Sequence, residues 1–237
     1  AVLAGALGDA AAALRVTFET DVSRCHRVTR HGGAHIELAL DVGVVRAGTA
    51  EVALHEIEFE LVDGPVAGLL DLARRWVARH GLWLDVRSKA ERGHLLAHHM
   101  TVASATRAKP PRVGGDVTAD RALRHLVEAG LDHILPNAAA LAAELAGDEH
   151  RAQARLGLAC LREALARSYV QDPAATAQAW AHSLAELGRQ LDGEGAGATE
   201  AGTTHAWQAR AGAAMRSPAA GLLWLDLLAY ALVDRPD

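Results

Sequence analysis

The sequence predicts an α+β protein in which an antiparallel β-sheet is followed by an all-α helical bundle. Two observations predict it. In the first third of the 237-residue chain, apolar and polar residues alternate with a period of two, as in strands that bury one face. After about residue 118 the apolar residues recur at the spacing of a helix, about every 3.6 residues. Between these halves, 106–117 contains paired prolines and paired glycines and predicts a linker. We therefore expect one domain over 1–105 and another over 118–237.

The predicted sheet consists of short alternating segments separated by turns that contain glycine. In 35–43, for example, Ile36, Leu38 and Leu40 alternate with polar residues, and Gly32–Gly33 precede the segment as a hairpin turn would. The expected strands are 14–24, 35–43, 50–62 and 82–87, with turns at 30–33 and 45–49. Pro65 near its start and Gly81 just past its end predict a helix over 64–81. The segment 88–99 is expected to be a loop that leads into a helical turn or two.

The second half predicts helices with recognisable caps. Asp148 and Asp172 are expected N-caps, the latter followed by Pro173, and Ser217–Pro218 repeat that signal. A bend is expected at Pro136. The expected helices are 118–147, 148–168, 172–191 and 217–233, with a flexible loop over 192–204.

Composition and charge exclude several classes of function. Half of the residues are hydrophobic and 22% are charged, which is typical of a soluble globular protein. Residues 1–117 hold 14 basic and 14 acidic side chains, whereas 118–237 hold 10 basic and 15 acidic ones, and this argues against nucleic acid as a partner. The most apolar stretch, 219–233, is too short to span a bilayer and contains Asp226. Two distant cysteines favour neither a disulfide framework nor a thiolate zinc site, so we expect a cytoplasmic protein. The chain begins with Ala1 rather than Met, and we expect that an N-terminal portion is missing.

Carboxylates at alternate positions are the main functional signal. Glu56, Glu58 and Glu60 share one face of a predicted strand, and Glu37 and Asp41 share a face of the strand before it. One interpretation is a solvent-exposed face of a two-sided sheet. The other is the lining of a cavity, where such oxygen ligands suit Mg²⁺ or Mn²⁺.

The apolar residues between the glutamates favour the cavity. Ile57, Phe59 and Leu61 require burial, which the helix predicted over 64–81 can provide. If helices cover the apolar face of a curved sheet, the charged face becomes the inside of a barrel or tunnel. Basic residues on the same elements would then lie beside the acids and bind a polyanion that carries a metal: Arg24, Arg46, Lys89 and Arg92.

These motifs resemble a known pair of domains. The order and spacing of FETDVSR, IELALDVG, VRAG, EIEFELVDG and RSKAERGHLLA, over about residues 14–97, are similar to the C-terminal half to two-thirds of a CYTH domain, the triphosphate tunnel fold. The half from about residue 118 resembles the start of a CHAD domain, a helical bundle that binds inorganic polyphosphate. Proteins with this order of domains are typically inorganic triphosphatases that hydrolyse tripolyphosphate with Mg²⁺ or Mn²⁺. The resemblance implies a partial tunnel barrel followed by the first half of a CHAD-like bundle.

The resemblance implies roles for individual residues. The matching carboxylates are the expected metal ligands: Glu37, Asp41, Glu56, Glu58 and Glu60. Lys89 and Arg92 match the K-x-x-R of the closing segment, which places basic groups at the tunnel, and they are the expected catalytic residues. Arg24, on the first matched strand, and Arg46 are expected to bind substrate, together with Arg155 and Arg162 of the helical half.

The chain also departs from both family patterns. The opening E-x-E-x-K strand of the tunnel and the arginine-bearing strands after it are absent, so we expect a fragment with part of the tunnel wall. The CHAD signature, roughly H-Q-x-R-V-x-x-R-R-x-R, aligns with AQARLGLACLR (152–162), which keeps Gln153, Arg155 and Arg162 but has Ala159 and Cys160 in place of the paired arginines. Each lost base removes a charge-assisted contact. The expectation is therefore a metal-dependent triphosphatase-like protein, or alternatively a catalytically inactive polyphosphate-binding or scaffold protein.

Overall fold

A computed structural model of the chain describes residue 8 and residues 13–111, 117–166, 174–192 and 204–233. Three strands and seven helices occur in this part of the chain, which confirms the α+β prediction. The strands are β1 (Glu19–His31), β2 (Ala34–Ala47) and β3 (Ala50–Asp63). The helices are α1 (Val66–His80), α2 (Lys89–Ala97), α3 (Ala119–Ala142), α4 (Asp148–Ala166), α5 (Ala174–Asp192), α6 (Thr204–Met215) and α7 (Pro218–Leu232).

The strands form an antiparallel meander in the order β1-β2-β3. Gly32 and Gly33 have φ values of 55° and 80°, the left-handed values that a two-residue hairpin turn requires. Gly48, at φ 59°, serves the second turn, so both predicted turns are confirmed. Strand β1 begins five residues later than predicted, because its pairing with β2 starts at Glu19 and Arg46 and the described residues 13–18 have no partner in that strand. The described sheet is open, with β1 and β3 as its edges.

Helix α1 covers one face of the sheet. Ile36 and Leu38 of β2 are buried there, and Phe59 and Leu61 of β3 pack with them against Leu69, Leu72 and Trp76 of the helix. The Phe59 and Trp76 rings meet edge to face, with centroids 5.7 Å apart. The helix ends at Gly81, which is left-handed with φ 64° as a C-terminal glycine should be. Phe59 and Leu61 therefore lie under the helix that the sequence predicts for them.

The segment 82–87 is not a strand, which corrects the prediction. Its apolar residues are covered without strand pairing, since Trp83 and Leu84 pack against the core of the helical half. Asp85 accepts a hydrogen bond from the backbone N–H of Arg87, which turns the chain locally. Helix α2 then begins at Lys89, and its N-cap Ser88 accepts a hydrogen bond from Glu91 N.

The second half is helical, as predicted. Its largest fully buried side chain is Trp224, and Ser217 caps α7 with Pro218 in the first turn. Helix α3 continues through Pro136 but ends at Ala142, earlier than expected, and α6 is a helix that the sequence analysis did not identify. The expected cap at Asp172–Pro173 and nearly all of the expected loop 192–204 lie outside the described residues.

The two halves contact each other through α1 and α7. Leu70 and Val77 of α1 form a buried cluster with Leu225 of α7. Part of the predicted linker is attached to the helical half, because Asn137 of α3 bonds both the backbone N–H and the carbonyl of Thr106. Among the described helices, none combines the length and the apolarity needed to cross a membrane.

Candidate metal and phosphate site

The register of the sheet places acids and bases in one row. Arg24 of β1 lies opposite Asp41 of β2, and Asp41 lies opposite Glu56 of β3. Side chains directly opposite in an antiparallel sheet point to the same face, so these three share the face that α1 does not cover. Glu58, two positions further along β3, points the same way.

Helix α2 adds two further bases to this face. Lys89 is its first residue and Arg92 follows one turn later, so both side chains lie on the same side of the helix. Gly93 lets the helix approach closely, since a Cβ atom there would lie 2.2 Å from a ring carbon of Phe18. Helix α2 therefore lies against Phe18, the residue just before β1.

One ammonium group lies at the centre of three carboxylates. Lys89 Nζ is 2.9 Å from Asp41 Oδ2, 2.5 Å from Glu56 Oε1 and 2.6 Å from Glu58 Oε1. One oxygen from each of these carboxylates lies within 4.8 Å of the others, close enough for all three to share a single cation. We refer to Asp41, Glu56 and Glu58 as the carboxylate triad.

Arginines also bind the carboxylates of the triad. Arg24 Nε donates to Asp41 Oδ1 at 2.7 Å, and Arg24 Nη2 donates to Asp41 Oδ2 and Glu58 Oε2, each at 2.6 Å. Arg92 Nη2 lies 3.0 Å from Glu56 Oε2. Each carboxylate is therefore oriented by a guanidinium while one of its oxygens points to the common centre, and at Asp41 that oxygen, Oδ2, contacts both Arg24 and Lys89.

Two residues that the sequence analysis missed support Arg92. Asp85 Oδ2 lies 2.9 Å from Arg92 Nη2, and Asp85 also binds Arg87 through both of its carboxylate oxygens. The only sequence signal for them is their position just before the K-x-x-R motif, in a segment whose pattern predicted a strand instead.

The contacts keep these groups charged. The hydrogen bond from Arg24 lowers the pKa of Asp41 from 3.8 to about 2, against the opposing effect of burial and with further help from Lys89. Burial lowers the pKa of Lys89, but hydrogen bonds to Glu56, Glu58 and Asp41 outweigh burial and raise it above its ordinary value. The bond to Asp41 likewise raises the pKa of Arg24. At neutral pH Asp41, Lys89 and Arg24 are therefore charged.

The site is closed at Asp41 and open at Glu58. The Asp41 side chain has no exposed surface, whereas 46% of the Glu58 and 42% of the Arg24 side-chain surface is exposed. An anion could therefore approach Arg24 and Glu58 from solvent while Asp41 stays at the base of the site.

Three predicted site residues of the sheet lie away from the triad. Glu37 and Glu60 are partners across β2 and β3, four positions along β2 from Asp41, or about 13 Å. Glu37 lies 3.4 Å from His26, and among the described residues no ion pair involves Glu60. Arg46 is five positions from Asp41, so it points to the opposite face, where it binds Asp21 and Glu51.

The predicted residues of the helical half are separate from the sheet cluster. Arg155 lies on α4 and pairs with Asp192 of α5 at 2.5 Å. Arg162, two turns further on, is exposed and makes no ion pair within the described part of the chain. Gln153 has a structural contact instead, since its Oε1 lies 2.9 Å from Nε2 of the buried His133.

The donor set of the triad fits a divalent metal. All three ligands are carboxylate oxygens, the type that Mg²⁺ and Mn²⁺ prefer, and the arginines fix their directions before any ion arrives. Glu58 lies on the open side of the site, where water or phosphate oxygens have access.

A comparison with curated proteins agrees in part with the predicted family. Among the matches is an inorganic triphosphatase from Haemophilus influenzae (strain ATCC 51907 / DSM 11121 / KW20 / Rd), which is 36% identical over 83 residues. The aligned residues make up 35% of this chain and 24% of that protein, so the match covers about a quarter of the relative's length. No protein-family profile matches the chain. The similarity supports a CYTH-like relationship at most, and the CHAD-like resemblance stays a prediction.

Proposed function

We propose that this chain binds inorganic tripolyphosphate or polyphosphate together with a divalent metal, at a triphosphatase-type site built on the carboxylate triad. The observation that supports this most is the convergence of one oxygen each from Asp41, Glu56 and Glu58 on one centre, with three bases around it. The partial similarity to an inorganic triphosphatase favours triphosphate over other anions.

The triad would hold Mg²⁺ or Mn²⁺. When bound, such an ion neutralises phosphate oxygens and polarises the phosphoryl group for attack by water. Arg24 and Arg92 keep the ligand carboxylates in position, which is the support that metal ligands usually need from neighbouring groups.

Arg24 is also suited to bind phosphate directly. Its Nε and Nη2 contact Asp41 and Glu58, whereas no carboxylate of the described residues contacts its Nη1. Its side chain is 42% exposed, on the open side of the site. Guanidinium groups donate well to phosphate oxygens, so Arg24 would hold the substrate while it orients the triad.

The charges of the cluster favour joint binding of metal and anion. Asp41, Glu56 and Glu58 are balanced by Arg24, Lys89 and Arg92, so the six groups together carry no net charge. A divalent cation alone would add two positive charges to this balance, and a triphosphate alone would add several negative ones. The two ligands together keep the site closer to neutral than either does alone.

Phosphate release from tripolyphosphate in Mg²⁺ or Mn²⁺ tests this function. Glu56→Gln should lower the rate by about 10- to 100-fold, since a metal ligand is lost. Glu51→Gln is a matched control on the same strand but on the opposite face, and it should leave the rate unchanged. Equal rates for the wild type and Glu56→Gln would show that hydrolysis does not use the triad.

A second candidate function is binding without hydrolysis. The described sheet is open at both edges, and 46% of the Glu58 side-chain surface is exposed to solvent. Arg162 of α4 could add a contact to a long polyphosphate, because it is exposed and unpaired within the described residues. In this case polyphosphate should bind in a salt titration, and it should bind more weakly to Arg162→Ala than to the wild type. Neither protein should release phosphate in Mg²⁺ or in Mn²⁺.

A further inference from the structure

We propose that Lys89 and the divalent cation bind the same three carboxylate oxygens in mutually exclusive states, so that the metal must displace an ammonium group already at its site. This inference rests on the proposed function, since it concerns how the metal reaches the triad. It assigns Lys89 a second role beside anion binding, that of an internal competitor of the metal.

The geometry supports exclusion. Lys89 Nζ lies between 2.5 and 2.9 Å from Asp41 Oδ2, Glu56 Oε1 and Glu58 Oε1, so it occupies the point at which their inward oxygens meet. Mg²⁺ would lie about 2.1 Å from the same oxygens, at nearly the same point. The ammonium and the metal ion cannot both lie there, because the repulsion between two positive charges grows as they come closer together.

Lys89 can leave without dismantling the triad. Arg24 binds Asp41 and Glu58, and Arg92 binds Glu56, so each carboxylate keeps a guanidinium contact when the ammonium leaves. Asp41 Oδ2 is the one inward oxygen that an arginine contacts as well, and it would stay bound to Arg24 Nη2. The lysine side chain is a flexible four-carbon stem, and here it is 19% exposed. A displaced ammonium would be free for a phosphate oxygen on the open side of the site.

Removing the ammonium should therefore strengthen metal binding. Mn²⁺ affinity can be measured from the electron paramagnetic resonance signal of free Mn²⁺, with the full chain and without any phosphate. We expect Lys89→Met to bind Mn²⁺ about tenfold more tightly than the wild type, a coupling within the usual range between sites. Lys89→Arg keeps the positive charge and should bind no more tightly than the wild type. Lys109→Met, the matched control at the only other lysine of the chain, should match the wild type.

The outcomes separate this inference from the proposed function. Equal Mn²⁺ affinity in the wild type and a folded Lys89→Met, or no Mn²⁺ binding by that variant, would overturn the competition. Equal affinity in a wild type that still hydrolyses tripolyphosphate would leave the proposed function standing. Circular dichroism of each variant establishes that it is folded.

A second measurement follows the lysine itself. The chain contains two lysines, Lys89 and Lys109, so isotope labelling of lysine gives two side-chain signals by NMR. Titration with Mg²⁺ should shift the Lys89 signal toward that of free lysine and leave the Lys109 signal in place. A Lys89 signal that does not move at Mg²⁺ concentrations that occupy the site would overturn the exclusion.

Discussion

Asp41 is the group whose removal should change stability most within the site. Its side chain is fully buried and accepts three charge-assisted contacts, two from Arg24 and one from Lys89, between 2.6 and 2.9 Å. Such bonds contribute about 1.5–3 kcal/mol each when considered singly. Their sum overstates the loss, because Arg24 is 42% exposed and keeps Glu58, and Lys89 keeps both glutamates. We therefore expect Asp41→Ala to lower the free energy of unfolding by about 2–3 kcal/mol at pH 7.

Urea denaturation followed by circular dichroism measures this effect. Asp63→Ala, which removes an 82% exposed carboxylate from the same sheet, should change stability by less than about 0.5 kcal/mol. The effect of Asp41→Ala should also depend on pH. Because the native pKa of Asp41 is lowered to about 2, its contribution is complete above the unfolded pKa near 3.8 and is lost as the pH falls through about 2. A loss at pH 7 no larger than that of Asp63→Ala would refute the network as a source of stability.

Two further predictions concern the packing that positions the site. Gly68→Ala should lower the melting temperature and reduce the free energy of unfolding by about 1–3 kcal/mol, because the added Cβ would lie 2.5 Å from the carbonyl oxygen of His31. The control is Gly188→Ala, where the space is open and the change should be neutral or stabilising. Trp76→Leu removes the ring that meets Phe59 edge to face and should cost about 1–2 kcal/mol in urea denaturation, less than for a fully buried ring because Trp76 is partly exposed. An unchanged melting temperature in Gly68→Ala, or unchanged stability in Trp76→Leu, would contradict the packing of α1 on the sheet.

Much of the row of charged residues across the sheet could be predicted from two hairpin turns and from the alternation of polar and apolar residues on β3. Glycine turns at 32–33 and at 48–49 fix both hairpin registers, and those registers place Arg24 opposite Asp41 and Asp41 opposite Glu56. The alternation on β3 then shows that Glu58 shares the face of Glu56. The same counting places Arg46 on the other face, so grouping it with the substrate-binding residues neglected a constraint that the sequence already contained.

The convergence of α2 on the triad could not be predicted in this way. It depends on the path of residues 81–88, which have no regular structure and therefore no period from which a direction can be inferred. Trp83 and Leu84 of this segment pack against the helical core, a contact between distant parts of the chain that local pattern does not show. The roles of Asp85 and Arg87 follow from that same path. The local pattern thus predicted which charged residues share a face of a strand, whereas tertiary contacts decide which charged residues of different elements meet.

A crystal structure with Mn²⁺ and a non-hydrolysable triphosphate analogue, with anomalous scattering used to locate the ion, tests the central claim most directly. We expect a manganese peak bound by Asp41 Oδ2, Glu56 Oε1 and Glu58 Oε1, with the ammonium of Lys89 turned from the triad toward the analogue. Manganese bound elsewhere on the chain, for example between Glu37 and Glu60, with Lys89 still seated among the three carboxylates, would contradict the assignment of the triad as the metal site.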